Sequence, residues 1–383
     1  MPTLITGSFA YDTIMVFRDR FANHILPEHA HILNVSFLVP ELRREFGGCA
    51  GNIAYNLKLL GGEPLPMGAV GRDFAPYRAW LQENDIPLDF VTEAPGEFTA
   101  QAFVTTDRDN NQITAFHPGA MAFAQMNRIS DACDAGNAIA LGIVAPDGRQ
   151  AMLEHAAQFA AANIPFIFDP GQGLPMFDGD ELHAFIKQAG YVVVNDYESE
   201  LLRDKTGLQL AQIAAQVKAL IITRGGDGAD IYVGGGGDGS GDGKDGVGDG
   251  VGSGVRGDGV DGGVDGDAAG IAGAGDAGDD KGVSGDGGVG REGNGVDDGG
   301  ASIHIDAVRV SEARDPTGCG DAFRAGLLYG IARGLDWRAC GQIASLMGGI
   351  KVEHHGTQNH RFTHPEFEAR YHKNFATKIR LGD

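Results

Sequence analysis

The clearest fold signal lies in residues 191–223, which read YVVVNDYESELLRDKTGLQLAQIAAQVKALIIT. Two runs that are apolar up to a final polar residue, Tyr191–Asn195 and Ala219–Thr223, have the length expected of strands that are covered on both faces. Between them, Tyr197–Thr206 and Leu210–Gln216 show helical spacing. Helices that alternate with buried strands are typical of a parallel sheet with helices on both sides, so we predict an α/β fold.

The same alternation continues on both sides of this stretch. Further apolar strand candidates are Thr3–Gly7, Ala138–Val144 and Phe166–Phe168, and further helical stretches are Gly51–Leu60, Gln150–Ala162 and Asp180–Ala189.

A second class of segments shows a rough period of two beside turn residues. These segments are Asp12–Phe17, Asn34–Val39, Thr99–Thr106 and Gln112–Phe116. We expect them to form a small separate β-sheet, built from about residues 12–17, 34–39 and 99–116, that has the shape of a lid.

The composition favours a small-molecule partner. The chain has 383 residues, 42% of them apolar, which is enough to bury a large core. Its formal net charge of −22 argues against a nucleic acid or an anionic membrane as partner, because both repel an acidic surface. There is no leader pattern and no run of roughly 18 apolar residues, and the four cysteines lack zinc or redox spacing. We expect a cytoplasmic protein.

One segment departs from this composition. Residues 234–300 hold 30 Gly, 14 Asp and one Glu against two Lys and two Arg, which amounts to half of the formal net charge. The segment has little to bury against the entropy of ordering its glycines, so we expect a disordered insertion. A calcium-binding β-roll is the alternative, but no nine-residue register holds. The flanking residues Ala229–Val233 and Ser302–Ile305 look like strands, so the insertion is expected to replace a hairpin turn.

The strongest local motif is DPTGCGD, residues 315–321, which precedes a helical stretch at Ala322–Arg333. Glycines on both sides of Cys319 allow a tight turn before the helix, where backbone N–H groups and the helix dipole favour an anion. Asp321 adds a carboxylate that can take a proton from a hydroxyl while the amides hold a phosphoryl group. The alternative is that Asp321 only caps the helix.

A second glycine cluster, GGCAGN at residues 47–52, opens another apolar helix. Its glycines allow a ligand to reach the main chain, and Asn52 can exchange hydrogen bonds with sugar hydroxyls. Asp12, which follows the first strand, can accept hydrogen bonds from two vicinal hydroxyls. Close helix packing is the alternative for the glycines, and a turn role is the alternative for Asp12.

Two more motifs follow predicted parallel strands at their carboxyl ends, where ligands of α/β proteins bind. Asn195 and Glu198 offer oxygens that suit hydrated Mg²⁺, although the same pair can simply cap the next helix. The turn TRGGDG, residues 223–228, offers a hydroxyl, amides and a guanidinium to phosphates. Asp169 lies in a third turn at this edge.

Taken in this order, the motifs resemble those of the ribokinase-like (PfkB) family of carbohydrate and nucleoside kinases. The resemblance covers residues 1–233 and 301–383 and is interrupted by the insertion. It implies a three-layer α/β/α fold with a mostly parallel central sheet and a small β-sheet lid. The segments GSFAYD, HILPEH, FGGCAGN and FDPGQGLP look most similar to those of bacterial adenosine or broad-specificity nucleoside kinases.

The resemblance assigns a role to each motif. Asp321 would be the catalytic base, beside an amide cradle that comprises Gly318, Cys319 and Gly320, although Cys319 stands where alanine is commoner. The positions matched to the sugar clamp are Asp12, Gly47, Gly48 and Asn52. The positions matched to the ATP and magnesium motifs are Asn195, Glu198, Thr223, Gly225 and Gly228, with Glu198 acting on Mg²⁺ indirectly. Asp315 and Thr317, with carbonyls near His354 and Gly356, match a site for a monovalent cation, K⁺ or Na⁺.

The implied activity is transfer of the γ-phosphoryl group of ATP, with Mg²⁺, to the 5′-hydroxyl of a nucleoside, adenosine first. A ribose- or fructose-type sugar kinase and a non-catalytic nucleoside-binding module are the alternatives. In the lid, Gln101 and Phe116, with Phe37 and Phe103, are expected to select the acceptor, unless the rings only fill the core of the lid. Exposed strand edges in the lid favour a homodimer.

Overall fold

A nine-stranded sheet carries the fold in the computed structural model, which describes residues 1–25, 34–109, 111–235 and 302–382. In spatial order, with labels that follow the chain, its strands are β13 (Ser302–Ile305), β12 (Ala229–Val233), β11 (Ala219–Thr223), β10 (Tyr191–Asn195), β9 (Phe166–Phe168), β8 (Leu141–Val144), β1 (Pro2–Thr6), β4 (Glu63–Val70) and β5 (Phe90–Glu93). The pairs β11–β12 and β12–β13 are antiparallel, and the other six pairs are parallel.

Helices cover both faces of this sheet. One face packs against α1 (Cys49–Leu59), α2 (Ala75–Glu83), α8 (Cys319–Ala332), α9 (Trp337–Val352) and α10 (His364–Phe375). The other face packs against α3 (Ile129–Asp134), α4 (Arg149–Ala161), α5 (Gly179–Gln188), α6 (Asp196–Thr206) and α7 (Leu210–Ala214).

Alternate side chains of one strand reach the two separate cores. Val193 of β10 belongs to the apolar cluster on the α8 side, whereas Val192 and Val194 belong to the cluster on the α4 side. Successive residues of a strand point to opposite faces, so both faces of β10 are buried. The three-layer α/β/α fold expected from the sequence is therefore confirmed. In the described part of the chain, no helix is both long and apolar enough to cross a membrane.

A second, four-stranded sheet stands where the lid was expected, and we call it the lid sheet or lid. Its strands, in spatial order, are β3 (Glu41–Gly47), β2 (Ala10–Val16), β6 (Ala100–Thr106) and β7 (Gln112–His117). The pair β2–β6 is parallel and the other two pairs are antiparallel.

One lid strand was predicted in the wrong place. Residues 34–39 form no strand, and the partner of β2 is instead Glu41–Gly47. Most of this strand is exposed or only half-buried, so it needs no apolar alternation and the period of two missed it. Phe37 of the predicted segment packs against Phe17 and Phe21, with ring centroids 4.8 and 5.0 Å apart, as a core-filling residue of the lid would.

The hairpin predicted around the insertion is confirmed, because β12 and β13 pair with Tyr232 opposite Ser302. The sequence also predicts that the insertion is disordered. That prediction concerns residues 236–301, which lie outside the described part of the chain. Val233, where β12 ends, pairs with Ala219 at the start of β11, and Ala229 pairs with Thr223 at its end. The chain therefore leaves the hairpin from the amino-terminal edge of the parallel strands, opposite to the edge where their motifs lie.

Candidate active site

The loop 315–318 and the first turn of α8 form an anion-binding geometry. Gly318 precedes α8 with φ 79°, and a Cβ on it would lie 3.0 Å from the side chain of Thr357. The first N–H groups of a helix have no carbonyl partner within it, so they are available to a ligand. Of the predicted cradle, Cys319 already donates its N–H to the carbonyl of Pro316 at 3.1 Å, which leaves the amides of Gly320 and Asp321 as the better donors.

Asp321 is held in place by two neighbours from α1. Its Oδ2 accepts a hydrogen bond from Asn52 Nδ2 at 2.8 Å, and the thiol of Cys49 lies close enough to the carboxylate to lower its pKa. Burial raises the pKa of Asp321 to about 6, against the opposing effects of Asn52 and the Arg324 guanidinium. A carboxylate with this pKa is ionised at neutral pH and basic enough to assist the removal of a hydroxyl proton.

The orientation of Asn52 is fixed by a buried network. Its Oδ1 accepts from Gln358 Nε2 at 2.9 Å, and Gln358 Oε1 accepts from Trp80 Nε1 at 2.9 Å. The sequence assigned Asn52 to the sugar, whereas in the structure both ends of its amide have protein partners and Nδ2 faces the candidate base. Gln358 was missed, because nothing in its local sequence connects it with a residue about 300 positions earlier.

Asp12 approaches the same site from the lid strand β2. Burial raises its pKa to about 6, with further upward contributions from the charges of Asp321 and Glu45. A Cβ on Gly47 would lie 2.5 Å from the Asp12 carboxylate, so glycine makes room for it. Gly48 has φ 86°, and its Cβ would lie 2.6 Å from the carbonyl oxygen of Ser8. The structure thus brings together the predicted residues Asp12, Gly47, Gly48 and Asp321.

The strand register places the predicted lid residues Gln101 and Phe116 on opposite faces of the lid sheet. Asp12 pairs with Ala102, which pairs with Phe116, so Phe116 lies on the same face as Asp12. Gln101 pairs with Tyr11 on the opposite face, and its amide donates to Asp73 at 3.3 Å. Phe103 shares the face of Gln101. Of the predicted selectivity residues in the lid sheet, the structure therefore places Phe116, but not Gln101, beside Asp12.

A buried ion pair links α8, which carries the candidate base, to Asp169 in the turn after β9. Arg324, one turn after Asp321, donates from Nε and Nη2 to both oxygens of Asp169, at 2.9 and 2.8 Å. Both side chains are almost fully buried. The charge of Arg324 lowers the pKa of Asp321 and also that of Glu198, although burial dominates and raises both. An arginine in the apolar sequence AFRAGLLYGIA was the available signal for this pair.

Asn195 and Glu198 cap α6, as one of the two alternatives predicted. Asn195 Oδ1 accepts from the Glu198 amide at 2.7 Å, and Glu198 Oε2 accepts from the Asn195 amide at 2.8 Å. Within the described ranges, no three His, Cys, Asp or Glu side chains are grouped to hold a metal. Mg²⁺ needs less, since it keeps several waters and binds through one or two carboxylates and substrate phosphates. The pair therefore fits the indirect contact predicted for Glu198.

The turn after β11 is open to solvent. Thr223 ends β11, and a Cβ on Gly225 would meet nothing within 4 Å. Gly228 has φ 95°, and its Cβ would collide with the carbonyl of Ile305, so it shapes the turn. The open glycine leaves room for a large ligand at this edge.

The predicted monovalent-cation site contains a lysine. Asp315 Oδ2 accepts from the Gly356 amide at 2.9 Å and Oδ1 accepts from the Thr317 amide at 3.0 Å. The Lys351 ammonium donates to the carbonyls of Asp315 and His354, at 2.6 and 3.3 Å. These are carbonyls at the place to which the resemblance assigned K⁺ or Na⁺. The residues present therefore do not fit a metal ion while Lys351 holds this position.

Sequence comparison sets these motifs beside known proteins. The family described as pfkB family carbohydrate kinase matches residues 10–254 and 289–363, so the match is interrupted inside the glycine-rich segment. The curated nucleoside kinase of Methanocaldococcus jannaschii is 26% identical over 328 residues, which are 85% of each chain.

Solved structures give similar matches. The nucleoside kinase of Burkholderia thailandensis in complex with inosine is 42% identical, with 99% of both chains covered and a TM-score of 0.74. The complex of that protein with ADP-inosine is 43% identical, covers 100% of this chain and 98% of that one, and has a TM-score of 0.72. Ribokinase of Arabidopsis thaliana, complexed with ribose and ATP, is 15% identical over 97% of this chain and 98% of its own, with a TM-score of 0.65, and shows the fold alone.

Proposed function

The chain belongs to the pfkB family of carbohydrate kinases, and from that premise we propose that it is an ATP-dependent nucleoside kinase that phosphorylates the 5′-hydroxyl of its acceptor. Adenosine stays the first expected acceptor. Inosine joins it, because the relative that is 42% identical over nearly the whole chain binds inosine.

One observation carries this proposal. Asp321, at the head of α8, is hydrogen-bonded to Asn52 and lies close enough to Asp12 for its charge to raise the Asp12 pKa. A ribose between the two carboxylates would have hydroxyls held by Asp12 and its 5′-hydroxyl beside Asp321. A module that only bound nucleosides would need no buried carboxylate next to an anion site.

The proposed reaction is an in-line displacement. Asp321 takes the proton of the 5′-hydroxyl as the oxygen attacks the γ-phosphorus, and the bond from that phosphorus to the bridging oxygen breaks to release ADP. The amides of Gly320 and Asp321 meet the charge on the transferred oxygens. Mg²⁺, when bound with ATP, would neutralise phosphate charge, and Glu198 would hold it through water. Thr223, Gly225 and Gly228 would line the ATP site.

An acceptor panel tests the proposal. Initial rates of ADP formation would be measured with adenosine, inosine, cytidine, ribose and fructose at one ATP and Mg²⁺ concentration. We expect a purine nucleoside to give the highest kcat/KM. A clear preference for ribose or fructose would support the sugar kinase, and nucleoside binding without ADP formation would support the binding module.

We expect kcat/KM to fall as the pH drops below about 6. Burial raises the pKa of Asp321 and of Asp12 from 3.8 to about 6, so both gain protons between pH 7 and pH 5, and a protonated Asp321 cannot act as base. A pH–rate profile at constant ionic strength measures this. Asp12→Asn is the control and should keep an acidic limb. A wild-type limb centred near pH 4 would contradict the assignment.

A homodimer through the lid remains our proposal for assembly. By register, Leu42, Phe103 and Ile113 share the lid face opposite to Asp12, and they are 64, 39 and 44% exposed. Three such side chains on one sheet face favour coverage by a second copy of the chain. Leu42→Asp should turn a dimer into a monomer in light scattering. Leu38→Asp, at an exposed site outside the lid sheet, should not. A monomeric wild type would refute the dimer.

A further inference from the structure

Lys351 is a buried charge for which the proposed reaction has no step. It lies in the last turn of α9, and its side chain is 0% exposed. A fully buried lysine is rare, because moving an ammonium out of water is unfavourable unless partners compensate. Interaction with the end of its own helix does not by itself explain why Lys351 is buried.

The partners of Lys351 belong to Asp315, at the start of the loop 315–318 (the phosphate loop), or to the turn after α9. Nζ donates to the Asp315 carbonyl at 2.6 Å and to the His354 carbonyl at 3.3 Å, and lies 3.9 Å from Asp315 Oδ1. The Asp315 carboxylate in turn accepts from the amides of Thr317 and Gly356. One positive charge thus binds together two carbonyl oxygens and a carboxylate, which is what a monovalent metal ion would do.

The position of this charge matters for the anion site. Asp315 begins the loop that ends at Gly318, the residue before α8. The Val352 carbonyl, next to Lys351, accepts from the amides of Arg314 and Asp315, at 2.8 and 3.1 Å. The loop that carries the proposed cradle is therefore anchored at its start to the end of α9.

We propose that the Lys351 ammonium takes the place of a monovalent metal ion. It holds the phosphate loop at Asp315 and makes the protein independent of K⁺ and Na⁺. The same oxygens cannot bind a metal ion while Nζ fills the space among them. Burial lowers the pKa of Lys351 and the charge of Arg43 lowers it further, whereas Cys319, Asp315 and Asp321 raise it. Lys351 is a positioning residue, since it contacts the loop and not the reacting atoms.

The test compares monovalent cations at constant ionic strength, with choline chloride as the inert salt. For the wild type, we expect the same rate in choline, NaCl and KCl. Lys351→Met removes the charge but fills the space, and should lower kcat about tenfold in every salt, as loss of an outer-shell contact does. Lys351→Ala should show a similar loss in choline, but KCl or NH₄Cl should restore much of the rate, because a cation can enter the space. Lys373→Met, at an exposed site in the last turn of α10, is the matched control and should change nothing.

The inference rests on the proposed function only for these rates. Thermal unfolding gives a second readout: KCl should raise the Tm of Lys351→Ala above its value in choline, but leave the wild type unchanged, because an ion that binds only the folded state stabilises it. Wild-type activation or stabilisation specific to K⁺ would overturn the inference, as would full activity of Lys351→Met. If neither variant folds, the wild-type comparison of Tm decides. An inactive wild type would refute the proposed function and leave the Tm comparison valid.

Discussion

Asp321→Asn should lower kcat by about 10²- to 10⁴-fold, which is the range for loss of a positioned base. The substitution keeps the size of the side chain, and Oδ1 of the new amide can still accept from Asn52. What it removes is the ability to take the hydroxyl proton. Binding of the nucleoside should therefore stay within a few-fold of wild type, as measured by calorimetry, while the turnover measured with adenosine or inosine is lost.

The matched control is Asp131→Asn, because Asp131 is an exposed aspartate in the first turn of α3. It removes the same charge from the start of a helix, so it controls for the helix dipole. We expect its kcat to be unchanged. A near-normal kcat for Asp321→Asn would refute the base assignment, and an equal loss in both variants would indicate a general effect of charge.

Asp169→Asn should destabilise the fold by about 3–5 kcal/mol, because it leaves the buried Arg324 guanidinium without its charged partner. Two hydrogen bonds, at 2.9 and 2.8 Å, form this bidentate pair, and both side chains are almost fully buried. Unfolding in denaturant measures the loss. The double variant Asp169→Leu with Arg324→Met should recover much of the stability, since an apolar pair can replace a buried ion pair.

Glu41→Gln is the control for Asp169→Asn. Glu41 accepts from Arg18 at 2.8 Å in an exposed ion pair, and such pairs contribute about 0–1 kcal/mol. If Asp169→Asn were no more destabilising than Glu41→Gln, the buried pair would not be a stabilising element. If the double variant regained both stability and full turnover, the pair would have no part in positioning Asp321.

Seven of the nine strands of the central sheet were predictable because their signals are local, whereas β4, which contains Pro64 and Pro66, and β5 were not among the predicted strands. β9, β10 and β11 are continuous apolar runs between helical stretches, and their predicted bounds match the structure. The lid was harder, since an exposed strand such as β3 lacks the alternation that burial imposes. β8 is shorter than predicted because residues before Leu141 form no sheet pairs.

The candidate site was predictable where one short segment carries the proposed groups, as in residues 315–321. It was not predictable where groups meet only through the fold. Gln358 orients Asn52, and Arg324 reaches Asp169 across 155 positions. Lys351 occupies a place that the motif alone assigned to a metal ion, because a motif records which oxygens converge and not which cation fills the space among them.

The terminal β12–β13 hairpin has a practical consequence. It is the outermost pair of the large sheet, and the end at which its two strands are connected lies on the opposite edge from Thr223 and the other turns proposed to face the ligand. Closing a longer connection there costs little free energy, since the entropy grows only with the logarithm of its length. The connection between β12 and β13 is therefore a suitable place to insert a reporter module, such as a fluorescent protein whose ends lie close together. We expect such an insertion to leave phosphoryl transfer unchanged, because the candidate active site lies at the opposite edge of the sheet.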